Sequence, residues 1–456
     1  MKIKDTLTHN LVEFKPIHSG RINLFVCGPT VYNYIHVGNG RLFVVFDSFA
    51  RFLREEGYEV FYLQNITDID DKIFRKASED GTSWDVVAKK FVGEFLADMK
   101  SVGVESVTFY AKATAYIEQI IEQISTLIRK GYAYETNDGV YYDVTKFKDY
   151  GKLSGQDLEM TQAGARVEVN EDKRNAADFV LWKKMKPGEP YWDSPWGKGR
   201  PGWHIEDTAI SEAFFGAEYD IHGGGSDLIF PHHEAEIAQM RAISGKKHLS
   251  RYWMHVSMLI MDKEKMSKSL GNIVRLRDAV EKYGPETFRF FVLNSSFDSL
   301  LSYSDEAMKA AGETVSRIGE SYRKVRSCKG SGPGSGLDFS VRREAFREKL
   351  RNGFDTHGAL TEVMSTVTEI NRTLDRFNSA EVNDALSYFR LVNSIMGILK
   401  ENLSPSGSKL IENLLKARKE ARLAGNYQFS DTIRKILEDS GVSIQDNGPE
   451  TEWWYS

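Results

Sequence analysis

Leu42, Val45, Phe46, Phe49 and Leu53 recur at helical spacing up to Gly57, and the run is flanked by two short apolar stretches, Leu24–Val26 and Glu59–Gln64. Apolar residues three to four apart share one stripe of a helix, whereas short apolar runs that end in turn residues read as buried strands. Together they predict a strand–helix–strand unit. Cys27-Gly28-Pro29 closes the first strand, and the polar string Asn65-Ile66-Thr67-Asp68-Ile69-Asp70-Asp71-Lys72 follows the second. Ligands of open parallel sheets bind at the carboxyl ends of the strands, so both loops are expected on one side of the domain.

Farther along, Tyr116–Lys130 is amphipathic, and Ala133–Val144 reads as a hairpin turning at Asn137-Asp138-Gly139. From there to about Pro201 turn residues and aromatics dominate, including Trp182, Trp192 and Trp196, which marks an insertion interrupting the sheet. Gly197–Gly202 spells G-x-G-x-x-G, but no strand precedes it and Pro201 lies inside it. It reads as a turn-rich loop and not as a dinucleotide fingerprint. Arg251–Ile260 is a further strand, and after Arg275 the pattern is helical almost to the end, broken at Cys328–Gly336 and Ser404–Ser408.

A chain of 456 residues that is 41% hydrophobic accommodates two to four domains. With 60 Lys+Arg against 65 Asp+Glu the net charge is -5, so any contact with nucleic acid must come from a local patch. Lys409–Lys435 is such a stretch, with seven basic residues against three acids and with Tyr427, Phe429, Trp453 and Trp454 nearby; a solvated helix face is the plainer reading. Cys27 and Cys328 are the only cysteines, which fits a reducing compartment without a structural disulfide. No leader-like or membrane-length apolar run is present, and a cytoplasmic protein is expected.

Three strings carry candidate chemistry. In Tyr219–Gln239 the glycines Gly223–Gly225 let backbone approach a ligand beside Asp227, and His232 and Glu236 are four residues apart on a helix expected after Pro231. Alone, that pair reads more simply as a surface His/Glu contact on a capped helix. His36-Val37-Gly38-Asn39 lies where a strand hands over to a helix, a place that attracts phosphate, although His36 there could also be a plain cap. Lys265-Met266-Ser267-Lys268-Ser269 sets two ammonium groups three residues apart, suited to clamping a polyphosphate, or simply an exposed basic loop.

The pair of HVGN and KMSKS resembles the two nucleotide motifs of class I aminoacyl-tRNA synthetases. FVCGPTVY (Phe25–Tyr32), NITDIDDKI (Asn65–Ile73), GRPGWHIE (Gly199–Glu206), DIHGGGSDLIFPHHE (Asp220–Glu234) and KMSKSLGN (Lys265–Asn272) resemble the cysteinyl-tRNA synthetase family. With LLKARKEAR and IRKILEDSGV in the tail, the similarity spans nearly the whole chain. It implies an α/β fold: a doubly wound, Rossmann-like parallel-sheet catalytic domain in two halves (1–112 and 202–275), an inserted connective domain (113–201), and all-α C-terminal parts, a stem-contact and helical-bundle region (276–403) and an anticodon-binding domain (404–456).

The implied reaction joins L-cysteine to ATP, with Mg²⁺, and then to tRNA(Cys), in a monomer with no membrane contact. The resemblance carries ATP binding to His36, Gly38, Asn39, Lys265, Ser267 and Lys268, with His36, Lys265 and Lys268 catalytic. It carries cysteine binding to Gly28, Thr67, Trp203 and Asp227, one zinc ion to Cys27, Asp207, His232 and Glu236, and tRNA contact to Arg418 and Arg422. Two positions depart from the family: Asp207 stands where a cysteine is usual, and Asn39 where a second histidine is common. A cysteine ligase acting on an amino sugar, and a catalytically silent RNA-binding paralogue, are the rival readings.

Overall fold

The computed structural model describes residues 1–156, 173–261, 264–265, 273–400, 405–423, 425–440, 442–447 and 450–455. The described chain divides into two compact units, Met1–Ile398 and Leu399–Ser456.

The first unit is organised by a five-stranded sheet, β1 (Arg21–Val26), β2 (Glu59–Ile66), β3 (Phe109–Lys112), β4 (Tyr219–Gly225) and β5 (Ser250–Val256), in the order β5-β4-β1-β2-β3 with every pairing parallel. Strands covered on both faces need apolar side chains at successive positions, and Ile22, Leu24, Phe25 and Val26 of β1 are all buried. The winding reverses between β1 and β4, and the crevice outside their carboxyl ends is where such sheets hold ligands.

Helix α1 (Val37–Glu55) returns the chain from β1 to β2 and buries Leu42, Val45, Phe46, Phe49 and Leu53, the predicted stripe. Its closeness to β4 depends on Gly223: a Cβ there would lie 2.3 Å from the ring of Phe46. Under α1, Asp47 and Arg289 form a buried ion pair (2.8 Å) joined by Arg51, also at 2.8 Å.

The hairpin expected at Ala133–Val144 forms, with Ala133–Glu135 antiparallel to Gly139–Tyr142. It continues into Phe179–Lys184 and then Gly199–Pro201, a four-stranded antiparallel sheet. Gly199–Pro201 is therefore an edge strand, correcting its reading as a turn-rich loop. Glycine is required by pairing, since a Cβ on Gly199 would meet the Lys183 carbonyl at 2.3 Å, and proline is tolerated because an edge strand has one unpaired side.

After Arg275 the unit is mostly helical, through Ser379–Met396. A short antiparallel pair, Lys2–Asp5 with Asn10–Glu13, has no signal strong enough to read from sequence. Cys27 and Cys328 are both free thiols. Among the described residues no helix is long and apolar enough to cross a membrane.

Among its described residues the second unit has two helices, Pro405–Leu423 and Tyr427–Asp439, then an antiparallel pair, Val442–Asn447 with Glu450–Tyr455. The expected all-helical tail thus ends in strands: Val442 and Ile444 alternate inward onto Ile411, Ile433 and Leu437, a period of two that short apolar runs do not separate from helix.

Candidate active site

At the β1/β4 reversal β1 delivers Cys27 and Gly28, and β2 delivers Asn65 and Thr67. Helix α2 (Trp203–Phe215) brings Trp203, His204, Glu206 and Asp207 in its first turns. The turn Ile229–His233 and helix α3 (Glu234–Ser244) bring His232, His233 and Glu236.

The donor atoms of Cys27, Asp207, His232 and Glu236 all lie within 4.8 Å of one another. Cys27 Sγ is 3.1 Å from Asp207 Oδ2; His232 Nε2 is 3.1 Å from the same oxygen and 3.2 Å from Glu236 Oε1. All four are at most 2% exposed, so His232 and Glu236 are not a surface pair. A second group of the same compactness shares two members: Cys27, His222, His233 and Glu236.

Each imidazole is fixed from behind. His232 Nδ1 is 2.8 Å from His204 Nδ1, His222 Nδ1 is 2.6 Å from the Tyr219 hydroxyl, and His233 Nδ1 is 2.7 Å from His255 Nε2. Such partners orient Nε2 for a ligand. Burial, then Asp207 and Glu236, pushes the Cys27 thiol well above its ordinary pKa; burial, then Asp207, does the same to Glu236. Burial, then neighbouring imidazoles, holds His204, His222 and His233 well below theirs. Thiol and carboxyl resist losing protons here for want of a counter-charge, which a cation supplies. At hydrogen-bond distance Glu236 Oε1 meets only the 3.2 Å approach of His232 Nε2, and neither Glu236 oxygen accepts a well-aligned hydrogen bond among the described residues. Donor types and orphaned buried oxygens together fit a metal ion of the zinc kind.

Gly28 sits against β2 so closely that a Cβ would be 1.8 Å from the Asn65 carbonyl oxygen. Thr67 is buried and engages Glu206, a fully buried carboxyl pushed up by burial and then by Asp207. Trp203 is partly exposed and stacks on His232 with ring centroids 4.1 Å apart. Gly28, Thr67 and Trp203 thus surround the first donor group, while Asp227 does not join them. It is exposed, and with His36, Gly38, Asn39 and Gly225 it lines a cavity of about 150 Å³ at the start of α1.

His36 is the N-cap of α1: its Nδ1 accepts from the Asn39 amide (3.3 Å), and Asn39 Oδ1 accepts from the His36 amide (3.2 Å). Asn39 therefore closes a capping box, a use for the residue that its departure from the family does not suggest. Burial lowers the His36 pKa, and Asp227 opposes this. Larger cavities of about 360 and 380 Å³ lie elsewhere; the place of this one at the start of α1, and not its size, marks it as a nucleotide site.

Lys265 lies in a short strand paired with Ile260, while Ser267 and Lys268 lie outside the described residues. Arg418 is 3% exposed and forks onto Asp446 with two 2.8 Å contacts; Arg422 is half exposed and reaches the same carboxylate at 2.8 Å. Sequence reasoning missed His222, His233, His204, His255 and Asn65. The doublet His232-His233 was visible, but adjacent helical residues point apart unless the backbone turns, as it does at the non-helical Phe230.

Residues 13–313 match a family model described as the class I (C) tRNA synthetase catalytic domain. A cysteine–tRNA ligase of Thermoplasma volcanium is 50% identical over 454 residues, and that of Thermoplasma acidophilum 50% over 455, with all of each chain covered. The cysteine–tRNA ligase of Thermococcus onnurineus is 42% identical over 99% of this chain and 98% of its own. Among solved structures, Mycobacterium tuberculosis methionyl-tRNA synthetase in complex with methionyl-adenylate has TM-score 0.64 at 17% identity, covering 86% of this chain and 94% of that one; the LeuRS–tRNA–LeuAMS complex of Agrobacterium radiobacter K84 has TM-score 0.61 at 10%, covering 85% of each. At such identities the likeness concerns the fold. With two thirds of its length matched by the family model and its whole length by these relatives, the chain belongs to the cysteine–tRNA ligase family of class I tRNA synthetases, which are ATP-dependent aminoacyl-tRNA ligases.

Proposed function

We propose that the chain activates L-cysteine with ATP and charges tRNA(Cys), and that the residues gathered at the β1/β4 reversal perform the first step. A cysteine carboxylate oxygen attacks the α-phosphorus of ATP, the bond to the β-phosphate breaks, and pyrophosphate leaves; the terminal ribose of tRNA then takes the acyl group from the adenylate. No covalent enzyme intermediate is required, so the protein positions the reactants and stabilises charge.

The observation that carries this reading is the buried Cys27–Asp207–His232–Glu236 group beside Gly28, Thr67 and Trp203. A zinc ion held by those four would bind a substrate thiolate far better than a serine hydroxyl, which supplies the discrimination an apolar pocket lacks. The α1 N-terminus with His36, Gly38 and Asn39 receives the nucleotide, with Mg²⁺ on its phosphates. Lys265 and Lys268 supply positive charge, and Ser267 a hydroxyl, for the leaving pyrophosphate. Asp227 borders the nucleotide cavity, and in this reading its carboxylate meets the α-ammonium where amino acid and nucleotide join. Arg422 is the better placed of the two tail arginines to touch RNA, because Arg418 is buried against Asp446. We take the active species to be a cytoplasmic monomer.

The test is cysteine-dependent exchange between pyrophosphate and ATP, followed by charging of tRNA(Cys). Exchange and charging together support the reading. No exchange leaves a silent RNA-binding paralogue, and exchange without charging points to a ligase for a small amino-sugar acceptor. Sedimentation at working concentration checks the monomer.

A further inference from the structure

The helix that opens the nucleotide cavity carries a fully buried arginine. Arg41 of α1 lies three residues past Gly38, is 0% exposed, and gives its hydrogen bonds to backbone carbonyls. Nη1 donates to Ser257 (2.8 Å) and Met258 (3.0 Å), and Nη2 donates to Ser296 (3.0 Å) and Ser299 (2.7 Å), with the Phe297 carbonyl at 3.5 Å. Ser257, Met258 and Leu259 line the cavity from the β5 side, as Gly38, Asn39 and Leu42 line it from α1. We propose that Arg41 is a positioning residue of the nucleotide site: it sets the strand wall of the cavity against α1 and so fixes how ATP is held. The proposal rests on the nucleotide reading of this cavity and adds what shapes it.

Charge argues against a space-filling role. Among the described residues no carboxylate touches the Arg41 guanidinium, and a buried cation without one is costly, so filling the space alone would favour an apolar side chain. Burial lowers the Arg41 pKa to about 10 and Asp298 opposes this, which leaves the group a cation at neutral pH. What the fork supplies is direction. Its N–H groups lie in one plane and hold carbonyls of two segments at once, which neither an apolar side chain nor a lysine does. In a trans peptide the carbonyl and the following amide point opposite ways, so fixing the Ser257 and Met258 carbonyls also fixes the amides of Met258 and Leu259, both cavity residues.

The two segments are also braced against each other. Ser257 donates through its amide to the Phe297 carbonyl (2.8 Å) and through its hydroxyl to the Asp298 carbonyl (2.8 Å), and the Leu301 amide donates to the Met258 carbonyl (3.3 Å). Asp298 pairs with Lys4 at 3.0 Å, which ties the loop to Lys2–Asp5. Of these links only those of Arg41 come from α1. Without it the strand end and the loop keep their bonds to each other and lose their hydrogen bonds to the helix that starts the cavity.

The experiment is cysteine-dependent exchange between pyrophosphate and ATP, run on the whole protein under conditions where urea unfolding shows each variant folded. Arg41→Met is expected to raise the KM for ATP about tenfold or more and to leave that for cysteine within about twofold, because the donor group for cysteine is carried by other elements. Arg41→Lys keeps the charge without the fork; it should move the same constant in the same direction, and it serves alone if Arg41→Met does not fold. Arg289→Met removes another buried arginine beneath α1, and it should lower stability with both constants within about twofold of wild type. An unchanged KM for ATP in the Arg41 variants, an equal rise for cysteine and ATP, or the same rise in Arg289→Met overturns the positioning role and leaves the nucleotide cavity standing. A wild type that shows no exchange and gains no resistance to urea from ATP overturns the nucleotide reading, and this one with it.

Discussion

Asn65 ties Asp207 to Gly28: its Nδ2 donates to Asp207 Oδ1 at 2.6 Å while its Oδ1 accepts from the Gly28 amide, also at 2.6 Å. One Asp207 oxygen is thereby occupied, and the other is aimed at Cys27 and His232. Asn65→Ala is expected to lower zinc affinity by about 10–100-fold in the presence of cysteine, the usual consequence of losing an orienting partner. Chelator competition measures it, and unchanged affinity would mean that Asp207 is not held for a metal.

Gly28→Ala puts a Cβ against backbone, the Asn65 carbonyl at 1.8 Å, which no rotamer relieves. A loss of about 3 kcal/mol in urea unfolding and of cysteine-dependent exchange is expected. Gly93, within the helix Trp84–Ser101 and with open space at its Cβ position, is the control: Gly93→Ala should be neutral or stabilising by up to about 1 kcal/mol.

Burial alone would raise the Asp47 pKa, but Arg289 and Arg51, with the amides of Glu105 and Ser106, hold it below the ordinary carboxylate value. Because the folded value is the lower one, this stabilisation is present above the unfolded pKa, about 3.9, and is lost as pH falls through the folded value. Arg289→Met leaves Asp47 with less compensation in the core and should cost about 3–5 kcal/mol at pH 7. The deficit should shrink near pH 3, where Asp47 can protonate in the variant. Urea unfolding at both pH values checks the sign, and a deficit that grows on acidification would exclude this account.

In the C-terminal unit the two arginines should separate. Arg418→Ala removes a bidentate partner of Asp446, and it is expected to destabilise that unit by about 2 kcal/mol, read as faster local hydrogen exchange. Arg422→Glu is expected to raise the KM for tRNA(Cys) several-fold and to spare cysteine activation. Equal loss in both half-reactions would count against RNA contact at Arg422.

Periodicity made the β1–α1–β2 unit legible, because the stripe from Leu42 to Leu53 and the apolar strand runs are local consequences of helix and strand geometry. The strings carrying Cys27, His36 and His232, which stop just short of Asp207 and Glu236, made the family legible as well. Pairing is not local. Whether Gly199–Pro201 is a loop or an edge strand depends on Phe179–Lys184 lying beside it, and whether the tail ends in helix or hairpin depends on what Val442 and Ile444 can pack against. Distance along the chain likewise hides the metal site. Cys27 and Asp207 are 180 residues apart and touch only because β1 and α2 share one end of the sheet. The sequence by itself determined which donors are available and which local elements carry them. The tertiary structure alone decided that His232 and Glu236 are buried, that Asp227 borders the His36 cavity, that Arg418 serves the fold, and that His222 and His233 stand on the far side of Cys27, since burial and long-range proximity follow from packing between elements and leave no period in the chain.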